Sequence, residues 1–174
     1  MLVEAIGTLY GYNRWATGRV LDTAAQLTPE QLQAPGGAGR RSVRDTLLHL
    51  IRVQKGWQSW WDGSLPAEEA YGLWLDPADF PDVAALRAEW EAVERDTQAF
   101  VSGLTEADLE RVYEFTLPNG TVLRLPLQGM MLHIANHGTH HRSEVAAMLT
   151  SFGHSPGDLD LLFYIWPREP EQAG

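Results

Sequence analysis

The 174-residue chain has no cysteine. That excludes disulfides, zinc ribbons, thiolate nucleophiles and thiolate metal ligands together, and leaves any metal site to His, Asp and Glu. A thiol reaction would need its thiol from a cosubstrate. Basic residues are also few: 13 Lys and Arg stand against 23 Asp and Glu, giving a net charge of −10 and a pI near 4.9. Attraction to phosphate backbones depends on clustered cations, so the balance argues against direct nucleic-acid binding. The one small basic group, Arg40, Arg41 and Arg44, follows a Gly-rich stretch and reads as a solvated loop and first helical turn. No apolar run approaches the roughly 20 residues that span a bilayer, and residues 1–10 lack a basic region followed by an unbroken apolar one. A cytoplasmic protein with no membrane partner is the expectation.

What is present is enough for one domain. With 44% hydrophobic residues, the chain can build a sizeable core. We place the domain at 1–166, with a frayed tail over 167–174. Apolar residues recur at helical spacing from Leu2 to Leu27, and Thr28 with Pro29 then starts a short turn. Asn13 falls on that apolar stripe and reads as a helix-to-helix hydrogen bond. Gly36, Gly37 and Gly39 make a flexible loop. Ser42, with Asp45 three residues on, caps a second helix through Val43, Leu47, Leu48, Ile51 and Trp57, apolar on most sides. Trp57, Trp60 and Trp61 are candidates for the wall of a pocket.

Residues 62–79 shift to Gly, Pro, Glu and Asp, a link long enough to run back along a helix, so the second and third helices can be parallel. The third starts near Asp79 and Pro81 and is strictly amphipathic from Val83 to Leu104; its acids Glu89, Glu91, Glu94 and Asp96 read mostly as solvated. Val112 to Leu117, Pro118-Asn119-Gly120 and Thr121 to Leu125 read as a β-hairpin. Pro126 opens a fourth helix, which runs to Phe152 before Gly153. Residues 158–166 are apolar enough to pack back on the bundle. The expected fold is all-α: a four-helix bundle with a long crossover from the second to the third helix and a small hairpin before the fourth.

Four of the six histidines lie in that fourth helix, at His133, His137, His140 and His141. A helix turns about 100° per residue, so His133 and His141 fall about 40° to either side of His137, and Glu144 about 20° from it. Met130, Ile134 and Met148 share the face. An apolar stripe interrupted by imidazoles needs a cause, and a cation bound through neutral ring nitrogens supplies one. His137 and His141 have the i, i+4 spacing at which two imidazoles reach one ion. Core histidines held by hydrogen bonds share this pattern, so a third ligand from elsewhere decides. His49, alone in the buried second helix, is the candidate for it, while His133 is the rival to His137 or His141. His154 lies beyond the helix stop and is left out; His140 is expected to point toward a neighbouring helix.

Tyr12-Asn13-Arg14-Trp15-Ala16, Ser42 to His49, Asn136 to Arg142, and Asp160-Leu161-Leu162-Phe163-Tyr164 together resemble the DinB/YfiT-like family of metal-binding four-helix bundles, over nearly the whole chain. The resemblance implies a metal held by His49, His137 and His141. It also implies a metal-dependent enzyme: first, transfer of a low-molecular-weight thiol to a small electrophilic substrate in stress response or detoxification; second, a hydrolase using metal-activated water. A non-catalytic metal-binding stress protein is the third reading. Zinc or nickel is the expected ion, a small molecule the expected substrate, and a homodimer the expected assembly. Where family members continue His-Arg with Gly-Gln, this chain has Ser143-Glu144. Glu144 is therefore a candidate to orient a ligand, to be a fourth ligand, to act as a base, or only to pair with an arginine; His133 is a further candidate beside the site.

Overall fold

In the computed structural model, which describes residues 1–36, 41–117 and 119–166, local chemistry sets the helix ends. The first helix, α1 (Leu2–Ala24), stops three residues before Leu27. Thr28 accepts a hydrogen bond from the Gln31 amide while the Gln31 side chain accepts from the Thr28 amide, a capping box that starts α2 (Pro29–Gln33). Ser42 accepts from the Asp45 amide and starts α3 (Val43–Trp61). The crossover is not bare coil: it contains α4 (Ala67–Tyr71) and a 3-10 turn, Pro77–Asp79. Asp79 sits in that turn, so α5 (Val83–Ser102) begins later than the Asp79–Pro81 start, with Asp82 accepting from the Ala85 amide. Thr105 and Asp108 form a second capping box at α6 (Glu106–Glu110).

Strands β1 (Val112–Thr116) and β2 (Val122–Pro126) pair antiparallel, from Val112 opposite Pro126 to Thr116 opposite Val122. Gly120, at φ +83°, carries the turn. Pro126 then leads into α7 (Leu127–Ser151), one residue short of Phe152. The last helix, α8 (Leu161–Ile165), packs on α1: the Tyr164 ring lies 6.2 Å from Tyr12 and 5.9 Å from Trp15, and Tyr12 donates to the Leu159 carbonyl at 2.8 Å. Leu162, Ile165 and Trp166 remain exposed. The readings at Gly37, Gly39, Arg40, Pro118 and the tail from Pro167 lie outside the described residues.

Side-chain pairs fix the directions of the long helices. Gln54 with Glu94, Gln58 with Thr97 and Trp61 with Phe100 rise together, so α3 and α5 are parallel, as the long link allows. Tyr10 with Met131 and Thr17 with Arg142 show that α1 and α7 are parallel too. His49 with His141 and Trp57 with His133 run in opposite order, making α3 and α7 antiparallel. The bundle is therefore up-down-down-up.

Its core is divided. Leu21, Leu47, Ile51, Leu86, Trp90, Val145 and Leu149 belong to one apolar cluster, and Ile6, Tyr10, Trp61, Val101, Leu127, Met130 and Met131 to another. Between them a chain of polar groups crosses all four long helices. Arg142, 1% exposed, donates to Asn13 Oδ1; Asn13 Nδ2 donates to Gln54 Oε1 at 3.0 Å; Gln54 Nε2 donates to Glu94 Oε2 and Thr97 Oγ1, both at 3.1 Å. Asn13 is thus the helix-to-helix link expected of it. Glu94 differs from expectation: it is buried rather than solvated, and Glu89 pairs with Lys55 at 2.6 Å, while Glu91 and Asp96 are exposed. Hydrogen bonds from Gln54 and Gln98 satisfy the Glu94 carboxylate, yet burial still raises its pKa.

Candidate metal centre

His137 and His141 stand one turn apart on α7, and their ring centroids are 4.4 Å apart. Their partner comes from α3. The His49 ring lies 4.7 Å from His141 and 5.2 Å from His137. One nitrogen of each of the three rings lies within 4.8 Å of the others, and all three side chains are half-buried. Two nitrogens bound tetrahedrally to one zinc at about 2.1 Å stand about 3.4 Å apart, a closing distance within reach of small ring rotations.

Electrostatics favour free lone pairs. Burial, then the cations and histidines around it, with Arg41 first, lowers the His49 pKa to about 4. Burial, then His141 and His49, lowers His137 to about 3. Both are neutral at pH 7, the form that binds a cation. For His141 a carboxylate fixes the tautomer: its Nδ1 is 2.8 Å from Glu144 Oε2, and since a carboxylate only accepts, Nδ1 carries the proton and Nε2 keeps its lone pair. The donor set thus fits a divalent transition ion.

The other histidines are arranged differently. His133 is exposed; its ring lies 6.0 Å from His137 and 5.8 Å from Trp57, so it borders the cluster without joining it. His140 does not point to a neighbouring helix. It is exposed, with Nε2 3.5 Å from Glu144 Oε1, and forms with His141 and Glu144 a second, more exposed group of donors from α7 alone. His154 meets Gln26 at 3.2 Å, away from the cluster.

The sequence reading did not single out Arg52 or Arg142. Arg52 Nη1 donates to the Leu73 carbonyl at 3.0 Å, and Nη2 lies 3.4 Å from His49 Nδ1. A guanidinium has only donors, so this long contact exists only while Nδ1 accepts. If His49 binds an ion through Nδ1, that lone pair is used; if through Nε2, Nδ1 holds the proton. Either way Arg52 Nη2 is released. The signal was its place one turn beyond His49 on a buried helix. Arg142 follows His141 directly and anchors α7 to the polar belt. Its guanidinium also lies 5.2 Å from the Tyr12 ring centroid.

Fold and cluster together define a class: an up-down-down-up four-helix bundle with three histidines gathered on the seam between two antiparallel helices. The DinB family pattern matches residues 1–172, and the chain belongs to the DinB family. It is similar to Protein DinB of Bacillus subtilis (strain 168), with 21% identity over 166 residues, covering 95% of this chain and 96% of that one. Among solved structures it is similar in fold to YfiT of Bacillus subtilis, described as a probable metal-dependent hydrolase with an unusual four-helix bundle topology. There the TM-score is 0.69 at 17% identity, covering 87% of this chain and 90% of that one. A DinB-like protein of the same organism, YjoA, gives a TM-score of 0.67 at 13% identity, covering 87% of this chain and 94% of the other. Among the described residues, no helix is long and apolar enough to cross a membrane.

Proposed function

We propose that the chain is a metal-dependent enzyme in which His49, His137 and His141 hold one divalent transition ion, zinc or nickel, and that it hydrolyses a small molecule. The observation that supports this reading most is the mutual approach of three half-buried imidazoles, two of them held neutral by burial. Three protein ligands are the number found where a position is left open for water or substrate. Such an ion, when bound, lowers the pKa of bound water or thiol and so supplies a nucleophile near neutral pH. Glu144 orients His141, and His133 borders the cluster. The likeness to YfiT, whose description names metal-dependent hydrolysis, supports water as the nucleophile.

A second reading, transfer of a small-molecule thiol to an electrophile in detoxification, is supported by the motif resemblance. It uses the same open position. Lacking cysteine, the chain would take the thiol from a cosubstrate.

The test starts with metal content. Untagged protein is expected to carry about one divalent ion per chain by elemental mass spectrometry, and His49→Ala to lose it. Full retention in His49→Ala would overturn the ligand set. A panel of small aryl esters and electrophiles is then assayed with and without glutathione or bacillithiol. Turnover without thiol supports hydrolysis, whereas turnover only with thiol replaces it by the transfer reading.

A further inference from the structure

Beside the histidine cluster lies a cavity of about 290 Å³, lined by residues that include Val53, Trp57, Trp60, Tyr71 and Phe115, with Arg52 as the one charged side chain among the described lining residues. Two of these residues connect it to the cluster: Arg52 Nη2 lies 3.4 Å from His49 Nδ1, and the Trp57 ring lies 5.8 Å from His133, which borders the cluster. Short helix α4 closes the other side. At Gly56, an added Cβ would stand 2.6 Å from the Ala70 carbonyl oxygen, so the glycine lets α4 press against α3 and form that wall. The indoles of Trp57 and Trp60 lie 5.7 Å apart, and Phe115 is 5.7 Å from Trp60 and 5.1 Å from Tyr71.

We infer that this cavity takes the aromatic acyl group of the substrate, and that Arg52 receives the carboxylate that hydrolysis releases. The inference rests on the hydrolase reading above for the reaction, but the binding site stands on its own geometry. Its volume suits one or two fused rings, since a cavity of about 150 Å³ already holds benzene. Aromatic walls favour a planar apolar group by stacking and edge contacts. Among the described lining residues there is one guanidinium, at the end nearest His49, and no acidic residue, an arrangement that selects an anion there. Arg52 Nη1 is tied to Leu73, while Nη2, among the described residues, makes the 3.4 Å contact to His49 Nδ1, which an anion can replace. In the reaction, the water oxygen bonds to the acyl carbon and the bond from that carbon to the ester oxygen or amide nitrogen breaks. One water proton goes to the leaving group and the other to solvent, leaving an aryl carboxylate beside Arg52.

The probes are 2-naphthoate and its uncharged analogue 2-naphthamide, titrated against the intact protein by tryptophan fluorescence and calorimetry, with metal content measured on the same samples. Saturable binding of 2-naphthoate is expected. Arg52→Leu should weaken it at least tenfold while changing 2-naphthamide binding less than threefold. Ala67→Phe, which fills the cavity from α4, should abolish binding of both, with the helical circular dichroism unchanged. Equal loss of both probes in Arg52→Leu would overturn the carboxylate assignment; unimpaired binding in Ala67→Phe would overturn the site. Protein that holds metal yet binds neither probe at millimolar concentration overturns this inference and spares the hydrolase reading. Protein that binds naphthoate but no metal does the reverse.

Discussion

Glu144 Oε2 accepts a hydrogen bond from His141 Nδ1 at 2.8 Å, one turn along the same helix. The carboxylate decides which ring nitrogen of His141 can serve as a ligand and raises the basicity of that nitrogen. Glu144→Ala should weaken zinc binding about 10- to 100-fold, read by competition against a chromophoric chelator. Glu144→Gln, which still presents an oxygen acceptor, should lie between it and the parent. If alanine and parent bind alike, Glu144 is only a surface partner of His140 and His141.

Acid should destabilise the metal-free protein earlier than carboxylates alone would. Unfolded imidazoles titrate near 6.5, whereas burial and neighbouring cations bring His49 to about 4, and burial with neighbouring histidines brings His137 to about 3. Between those limits the unfolded chain binds protons that the folded chain does not, so stability is full above pH 6.5 and falls as the pH drops toward 4. Urea midpoints measured in chelator at pH 7.5, 6.5 and 5.5 should fall over the last step, above the carboxylate range. In a His49→Gln, His137→Gln protein that step should shrink; an unchanged step would assign the loss to other groups.

Arg52→Leu is expected to tighten metal binding, the opposite of what losing a neighbour of a ligand would ordinarily do. The guanidinium is a cation beside the cluster and, at 3.4 Å, a donor aimed at the His49 lone pair. Removing it relieves repulsion of a divalent ion and the need to break that contact, together about 1 kcal/mol in a partly solvated setting, or several-fold in affinity. Isothermal titration with zinc measures it. Weaker binding would mean that Arg52 holds His49 in place instead.

The histidine pair on α7 was legible because a 3.6-residue period is a strong signal: His137 and His141 had to share a face wherever the helix packed. So were the four long helices, the hairpin and the parallel run of α3 and α5, which followed from apolar spacing, turn residues and the length of the link. The polar belt was not. Glu94 sits beside Val93 and Thr97 at the edge of an apolar stripe, and a carboxylate there is usually solvated. The amide of Gln54, arriving from a helix 40 residues away in sequence, joins that of Gln98 one turn along α5 to make its burial tolerable. Arg142 could be quoted as part of a motif, but its 1% exposure depends on Asn13 and Thr139 lying where they do. Periodicity reports which face is buried, and not which polar groups meet across it.

Gly138 lies between the two α7 histidines, and here local propensity and packing predict opposite signs. In a helix interior alanine is favoured over glycine by about 1 kcal/mol, so Gly138→Ala would stabilise a free helix. In the bundle, however, the added Cβ would run into Asn13 Oδ1 and stand 2.7 Å from Arg142 Nη1. Both side chains are 1% exposed and bonded to each other, so neither can yield without leaving a buried donor or acceptor unpaired. Overpacking of this kind costs about 1–3 kcal/mol and an unpaired buried group a similar amount. Packing therefore outweighs propensity, and Gly138→Ala should lose about 1–3 kcal/mol in urea unfolding. Because the shift pushes α7 away from α1 at the level of His137 and His141, zinc affinity should fall with it. A more stable variant would show that α1 and α7 have slack between them, and the contact from Asn13 to Arg142 could not then be what holds the histidine helix in register.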